Sequence, residues 1–248
     1  MATYLTMRKR YELFFNDLEK QLPGMDGGNI NAPLWLSGLE WAGADEKVTL
    51  DITRPTHEVH GYCVPYLSSG WKAENLNFYK WQFDQKIAKI LCKAFEFEGG
   101  YKNYMKDHYC NFDSNEFKLN LFPLPCKNMN TWSEEHIELT KTKIKYHYQT
   151  HCSITRFKLF NALVKQFQPK VVVCFGPKYV EEYKMAFWGD TYNENECAEE
   201  RVFLGSKNEL RILKGHGLPV LVLAPFLGRN LVANVELNNV GEIIKTYL

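Results

Sequence analysis

The sequence predicts a three-layer α/β/α sandwich around a central, mostly parallel four-stranded sheet, folded as one domain over residues 1–248. Three observations predict it. Val171-Val172-Val173-Cys174-Phe175 and Leu218-Pro219-Val220-Leu221-Val222-Leu223-Ala224 are continuous apolar runs, as expected of strands covered on both faces. A third run, Leu34-Trp35-Leu36, stops at Ser37-Gly38 and passes into a glycine-punctuated acidic segment, the mark of a buried strand feeding a loop. Segments with helical apolar spacing separate these runs.

Taken in order, residues 7–22 read as an amphipathic helix, with Tyr11, Phe14, Phe15, Leu18 and Leu22 near helical spacing, broken over residues 24–28. The first core strand follows Pro33. Residues 45–70 show no clear period, and residues 61–70 are rich in Gly, Pro and Ser, which reads as a long loop. Asn75 is placed to cap a helix whose stripe is Leu76, Phe83, Ile87, Ile90 and Leu91. Phe117-Lys118-Leu119-Asn120-Leu121-Phe122 alternates and then meets Pro123 and Pro125, a strand ended by prolines. Ser133 is placed to cap a charged helix running to about Tyr148, and a second helix spans about residues 153–167. Residues 190–200 read as an exposed polar excursion, residues 210–213 as a strand and residues 231–248 as a helix.

Composition bounds the class. The chain has 248 residues, 45% hydrophobic and 24% charged, the balance of an ordinary globular protein able to bury a core. Its apolar runs are too short to cross a bilayer, so no membrane is expected. The first ten residues lack the apolar centre of a signal peptide, and seven scattered cysteines without a CxxC pair read as reduced thiols, so a cytoplasmic location is expected. A net charge of +1 counts mildly against a dedicated duplex binder.

Ligands bind outside the carboxyl ends of strands in open α/β sheets. Glu40 is the first carboxylate past the Leu34 run, and Gly38 and Gly43 on either side allow a ligand close to the backbone, so this stretch is either a surface turn after a core strand or a site with Glu40 as the leading candidate for chemistry. Asn120 and the Arg229-Asn230 pair lie at other strand ends. Asn120 either ties down a neighbouring loop or reads a ligand, and Arg229 and Asn230 either contact phosphate or form a solvated loop. His57, His60 and Cys63 have a spacing compatible with metal ligands, but no second pair follows, so no metal and no cofactor are expected. No GxSxG elbow, phosphate loop or GxGxxG is present.

Together these strand-end motifs resemble the uracil-DNA glycosylase superfamily. Gly38-Leu39-Glu40-Trp41-Ala42-Gly43-Ala44-Asp45-Glu46 looks like its first motif, in the Gly-Glu-Ala-Pro-Gly form. Asn120-Leu121-Phe122-Pro123-Leu124 is similar to the Asn-Leu-Cys-Pro-Leu stretch of single-strand-selective uracil-DNA glycosylases, whose Asn reads the uracil edge. Pro65-Tyr66 with Gly70 is similar to the Pro-Phe segment that stacks on the base, and residues 171–176 match the strand-then-Gly that follows. The departures are specific. The family's second motif is His-Pro-Ser, and the chain has Ala224-Pro225-Phe226 there. Trp41 stands at the first-motif Pro, with one residue inserted before Gly43.

The resemblance implies a DNA glycosylase that hydrolyses the N-glycosidic bond of a damaged or deaminated, uracil-like base flipped from DNA, with single-stranded or mismatched DNA as partner. Glu40 would stabilise oxocarbenium character and activate water, Tyr66 would stack on the base and Asn120 would read its edge, with Gly38, Trp41, Gly43, Phe122, Arg229 and Asn230 around the substrate. With Ala224 in place of the His, leaving-group stabilisation falls to backbone N–H groups, Arg229 or Asn230. Two alternatives stand beside this one: a catalytically inactive module of the same fold that binds a nucleotide, nucleic acid or protein, and an enzyme acting on a free nucleoside or nucleotide.

Overall fold

A computed structural model describes residues 22, 24–41, 54–128, 130–189, 192–205, 207–228 and 233–248. Of the sequence expectations, the helix over residues 7–22 (Leu22 apart) and the candidates Gly43, Arg229 and Asn230 lie outside the described residues.

The apolar runs form strands where the sequence places them. Nine strands are described: β1 (Gly27–Gly28), β2 (Leu34–Gly38), β3 (Thr56–Val59), β4 (Tyr62–Pro65), β5 (Glu116–Asn120), β6 (Val171–Phe175), β7 (Ala198–Phe203), β8 (Glu209–Lys214) and β9 (Val220–Ala224). The described α-helices are α1 (Ser69–Glu74), α2 (Gln82–Ala94), α3 (Gly100–Asp107), α4 (Glu134–Thr140), α5 (Lys145–Phe167), α6 (Val180–Phe187) and α7 (Asn234–Lys245).

The main sheet is mixed and has seven strands in the order β1-β5-β2-β6-β9-β8-β7, which corrects the four strands expected from sequence. β5, β2, β6 and β9 pair in parallel, while β1 on one side and β8 and β7 on the other pair antiparallel. The three added strands were missed or under-read for physical reasons. β1 is two glycines, and β7 is charged and largely exposed, so neither carries an apolar signal.

Alternation along the central strands sorts side chains to two cores. Trp35, Phe117, Leu119, Val172 and Leu221 face α5 and α6, against Tyr148, Phe157, Phe160, Tyr183 and Phe187. Leu34, Leu36, Val171, Val173 and Val222 face α2, α3 and α7, against Ile87, Leu91, Met105, Leu237 and Ile244. Helices therefore cover both faces, and each large side chain removed from water in these cores contributes about 1.5–3 kcal/mol.

Four local expectations change. The long loop over residues 45–70 contains the β3–β4 hairpin, turned at His60 and Gly61 with φ of 51° and 84°. Asn75 ends α1 and precedes a short 3-10 helix, Leu76–Lys80, without a side-chain capping bond, and the helix that carries Phe83, Ile87, Ile90 and Leu91 starts only at Gln82. The helix from Ser133 does not reach Tyr148, because Lys141 adopts a left-handed φ of 57° and the chain restarts as α5 at Lys145. Part of the polar excursion over residues 190–200 belongs to β7.

Burial also reaches a carboxylate at the start of β5. Glu116 accepts from the Tyr104 hydroxyl at 2.6 Å and the Cys110 N–H at 2.8 Å, yet burial outweighs these donors and pushes its pKa up to about 7. The folded state then binds this proton more tightly than the unfolded chain. Its stabilising contribution is complete below pH 4.5 and is lost as pH rises through about 7, an effect on the order of 3 kcal/mol. Melting temperatures measured from pH 4.5 to 8 should fall through this window, and Glu116→Gln should flatten the fall; an unchanged slope in the variant would show that another group is responsible.

Candidate functional site at the carboxyl edge

β2 lies at the centre of the parallel strands, between β5 and β6. The chain goes from β2 to the layer of α1–α3, whereas β5 and β6 lead to α5 and α6 on the opposite face. Neighbouring strands whose continuations part to opposite faces leave a crevice at their carboxyl ends. The ends of β2 and β5 stay zipped beyond the sheet: Leu121, Phe122 and Cys126 donate backbone N–H groups to the carbonyls of Gly38, Leu39 and Trp41, at 3.0, 2.7 and 2.9 Å. This register sets Cys126 beside Glu40.

Glu40 is half-buried as a residue, but its side chain is shielded from solvent and ion-paired. Lys145, the first residue of α5, donates from Nζ to Glu40 Oε1 at 2.7 Å, and the two side chains are 9% and 5% exposed. Lys145 also donates to the Asn128 carbonyl. Burial raises the Glu40 carboxyl above its ordinary value of 4.5, with Lys145 and the Cys126 thiol pulling the other way. Burial and the Glu40 charge push the Cys126 thiol up to about 11, so the sulfur is a neutral neighbour. Behind it, His136 accepts the Ser133 N–H at Nδ1 (3.2 Å), which leaves Nε2 to donate to the Pro125 carbonyl at 2.9 Å. Burial lowers the His136 pKa, and the ring is neutral.

Two polar atoms here are buried without a hydrogen-bond partner among the described residues: Glu40 Oε2 and the Trp41 indole nitrogen. An orphaned buried group costs about 1–3 kcal/mol, and native folds keep few of them. One is an acceptor and the other a donor, on adjacent residues at the end of the central strand. The guanidinium of Arg54 lies 4.6 Å over the Trp41 ring.

On the other face of β5 lies a second polar array. Lys118, itself buried, bonds Asp26 at 2.5 Å and Asp84 at 2.5 Å; Arg54 pairs with Asp26; and the Tyr109 hydroxyl donates to Asp84 at 2.7 Å. Burial alone would raise the Asp26 carboxyl, but Arg54 and Lys118 overcome it and hold it well below the carboxylate range.

The remaining candidates are placed as follows. Asn120 is buried, and its Nδ2 donates to the Gly24 carbonyl at 2.9 Å, the loop-tying role. Gly38 makes room for it, since a Cβ there would sit 2.4 Å from Asn120 Oδ1. Phe122 is a core residue against Tyr148 and Phe157, which its position before Pro123 gave no reason to expect. Tyr66 sits in a ring cluster with His57 and Phe112 next to the β3–β4 hairpin. Ala224 is fully buried, and Phe226 after it rests on Phe83 at 5.5 Å. His216 precedes β9 and is at the opposite edge of the sheet.

His57 and Cys63 cannot converge on a metal, because His57 pairs with Val64 while Cys63 pairs with Glu58, which points the two side chains to opposite faces. Among the described residues no group of three or more His, Cys, Asp and Glu side chains is placed to hold a metal ion. No helix there is long and apolar enough to cross a membrane.

Sequence reasoning missed Lys145, Cys126 and His136. A signal existed for the first: Lys145 falls on the buried stripe of α5 with Tyr148, Cys152 and Arg156, where a lysine needs a partner. Comparisons of the chain with protein-family models, with curated proteins and with solved structures find no match.

Lys145 opposes the effect of burial on the Glu40 carboxyl. In Lys145→Met the carboxyl loses the cation that opposes its desolvation, so its titration midpoint should move to higher pH in carboxyl-carbon NMR. Above that midpoint the variant carries an unpaired buried charge and should lose about 3 kcal/mol or more of stability. A midpoint that stays put would mean that Lys145 does not govern Glu40.

Proposed function

We propose that the chain is a hydrolase of N-glycosidic bonds acting on a uracil-like base flipped from single-stranded or mismatched DNA, a divergent relative of the uracil-DNA glycosylases, with Glu40 as its catalytic carboxylate. The observation that carries this reading is the state of Glu40. It lies two residues past the central parallel strand β2, one oxygen is held by Lys145 at 2.7 Å, and the other has no protein donor among the described residues.

Such a carboxylate is oriented, and in its ionised form it has one free acceptor for the proton of a water molecule. As the glycosidic bond breaks, the sugar gains positive charge. Glu40 stabilises it and directs or deprotonates the attacking water. Lys145 is a positioning residue that fixes Oε1 and keeps the carboxyl charged. The Trp41 indole N–H is a donor for a base oxygen. Asn120, with one amide hydrogen bonded to the Gly24 carbonyl, turns Oδ1 toward Gly38 as an acceptor for a base N–H. The base must leave its stack to reach this depth, which favours single strands and mismatches. Negative charge on the departing base meets no imidazole at Ala224, and loss of one preorganised donor costs about 2.7–4 kcal/mol, so turnover is slow.

One observation favours the second reading, a non-catalytic module that binds a nucleotide or nucleic acid: at the end of β9, where the family places its second catalytic side chain, the described residues Ala224 to Gly228 offer no polar side chain.

Base release from single-stranded oligonucleotides carrying uracil, hypoxanthine or xanthine decides between them. Wild type should release one of these bases, and Glu40→Gln should be slower by at least about a hundredfold. Because Glu40 must be ionised, the rate should drop as pH falls through a midpoint above 4.5. Binding without release by the wild type would support the module, and release that survives Glu40→Gln would remove Glu40 from catalysis.

A further inference from the structure

The charge of this chain is unevenly distributed. Between Leu139 and Val180 it holds eight Lys and Arg and no Asp or Glu, so the rest carries 22 Lys and Arg against 29 Asp and Glu. The net charge of +1 averages a basic segment with an acidic remainder.

Most of that acid-free stretch is α5, which starts beside Glu40 and crosses to the amino edge of the sheet. Its buried stripe packs on the sheet through Tyr148, Phe157, Phe160 and Leu163. The opposite stripe, at intervals of three and four, is His147, His151, Ile154, Lys158, Ala162 and Lys165; five of these six are exposed and His151 is half-buried. The stripe is about 27 Å long at 1.5 Å per residue, the span of roughly eight phosphates at 3.4 Å per strand.

Some surface cations elsewhere are answered by carboxylates, as in Lys93–Glu242, Lys245–Glu96, Arg211–Glu199 and Lys214–Glu200, whereas Lys102 and Lys106 on α3 are exposed without an ion pair among the described residues. Among the described residues Lys158 and Lys165 have no ion-pair partner, and neither do Lys143 before the helix and Lys178 after β6. At the Glu40 end the stripe begins beside Tyr146, 71% exposed, an aromatic ring held out to solvent. At the other end Lys165, Gln168 and Lys170 line a cleft of about 480 Å³.

We propose that the solvent face of α5 is a binding track for single-stranded nucleic acid, its lysines following the phosphates and Tyr146 stacking on a base near Glu40. Unpaired cations in a row, with an exposed ring, are the combination that binds single strands without sequence preference, because only an unpaired strand offers base faces for stacking. The track does not rest on the cleavage reading, since it needs no chemistry at Glu40.

The test is fluorescence anisotropy with a labelled oligothymidylate, which has no base to excise, over a range of salt concentrations. Wild type should bind, with log K falling linearly with log salt. Lys158→Glu with Lys165→Glu should weaken binding at least tenfold and reduce the slope by about 0.7 for each phosphate left unneutralised. Lys102→Glu with Lys106→Glu, the same charge change on α3 in the opposite layer, should leave affinity within twofold. Tyr146→Ala should weaken the single strand and not a duplex of equal length. Absence of wild-type binding, equal losses in the two double variants, or preference for an acidic peptide over the oligonucleotide would overturn the track. Base release would still stand or fall on its own assay.

Discussion

Buried charge that has to be paired is the constraint on which this structure depends. Lys118 points from the middle of β5 into a core, where an unpaired ammonium would cost several kcal/mol. Asp26, from the segment before β1, and Asp84, from α2, meet it there, and Arg54 and Tyr109 complete the array. One lysine thus draws two distant segments and a helix onto the same strand. On the other face Lys145 and Glu40 do the same for α5 and the end of β2. Neither pair is strong evidence of stability in itself, but each admits only one arrangement of the elements that supply it.

Those two arrays divide the carboxyl edge into different kinds of site. The Lys118 array is saturated: acids and bases answer one another, and the fold uses it as a joint. The Glu40 array is saturated on one side only, with Lys145 on one oxygen and no partner among the described residues on the other. That asymmetry separates a structural ion pair from a chemically available one. Asn120 also looks different in place: one of its amide hydrogens serves the fold by tethering Gly24, which leaves its oxygen and its second amide hydrogen for recognition.

Charge distribution reverses one argument drawn from composition. The net value of +1 counts against a nucleic-acid partner only if charge is spread evenly. A 23-residue helix that carries no acid of its own turns its exposed lysines to one face, and a face, not an average, is what a polyanion meets.

The α/β class, the runs that became β2, β5, β6, β8 and β9, and the position of Glu40 at a strand end were all legible in the sequence, because strands buried on both faces need uninterrupted apolar side chains and because glycine and charge end them. The β3–β4 hairpin, the glycine strand β1 and the charged edge strand β7 were not, since each is held by backbone pairing that leaves little side-chain signature. Phe122 and Asn120 show the same division within the site: residue type suggested recognition, while packing on Tyr148 and a bond to Gly24 were decided by what folded against them. The partner of Glu40 lies 105 residues away in sequence, and no spacing rule links the two. Only the crossover from β5 through α5, which returns the chain over the face of β2, brings Lys145 to the carboxylate, so the sequence determined that Glu40 ends a buried strand and the tertiary structure decided what charge it keeps there.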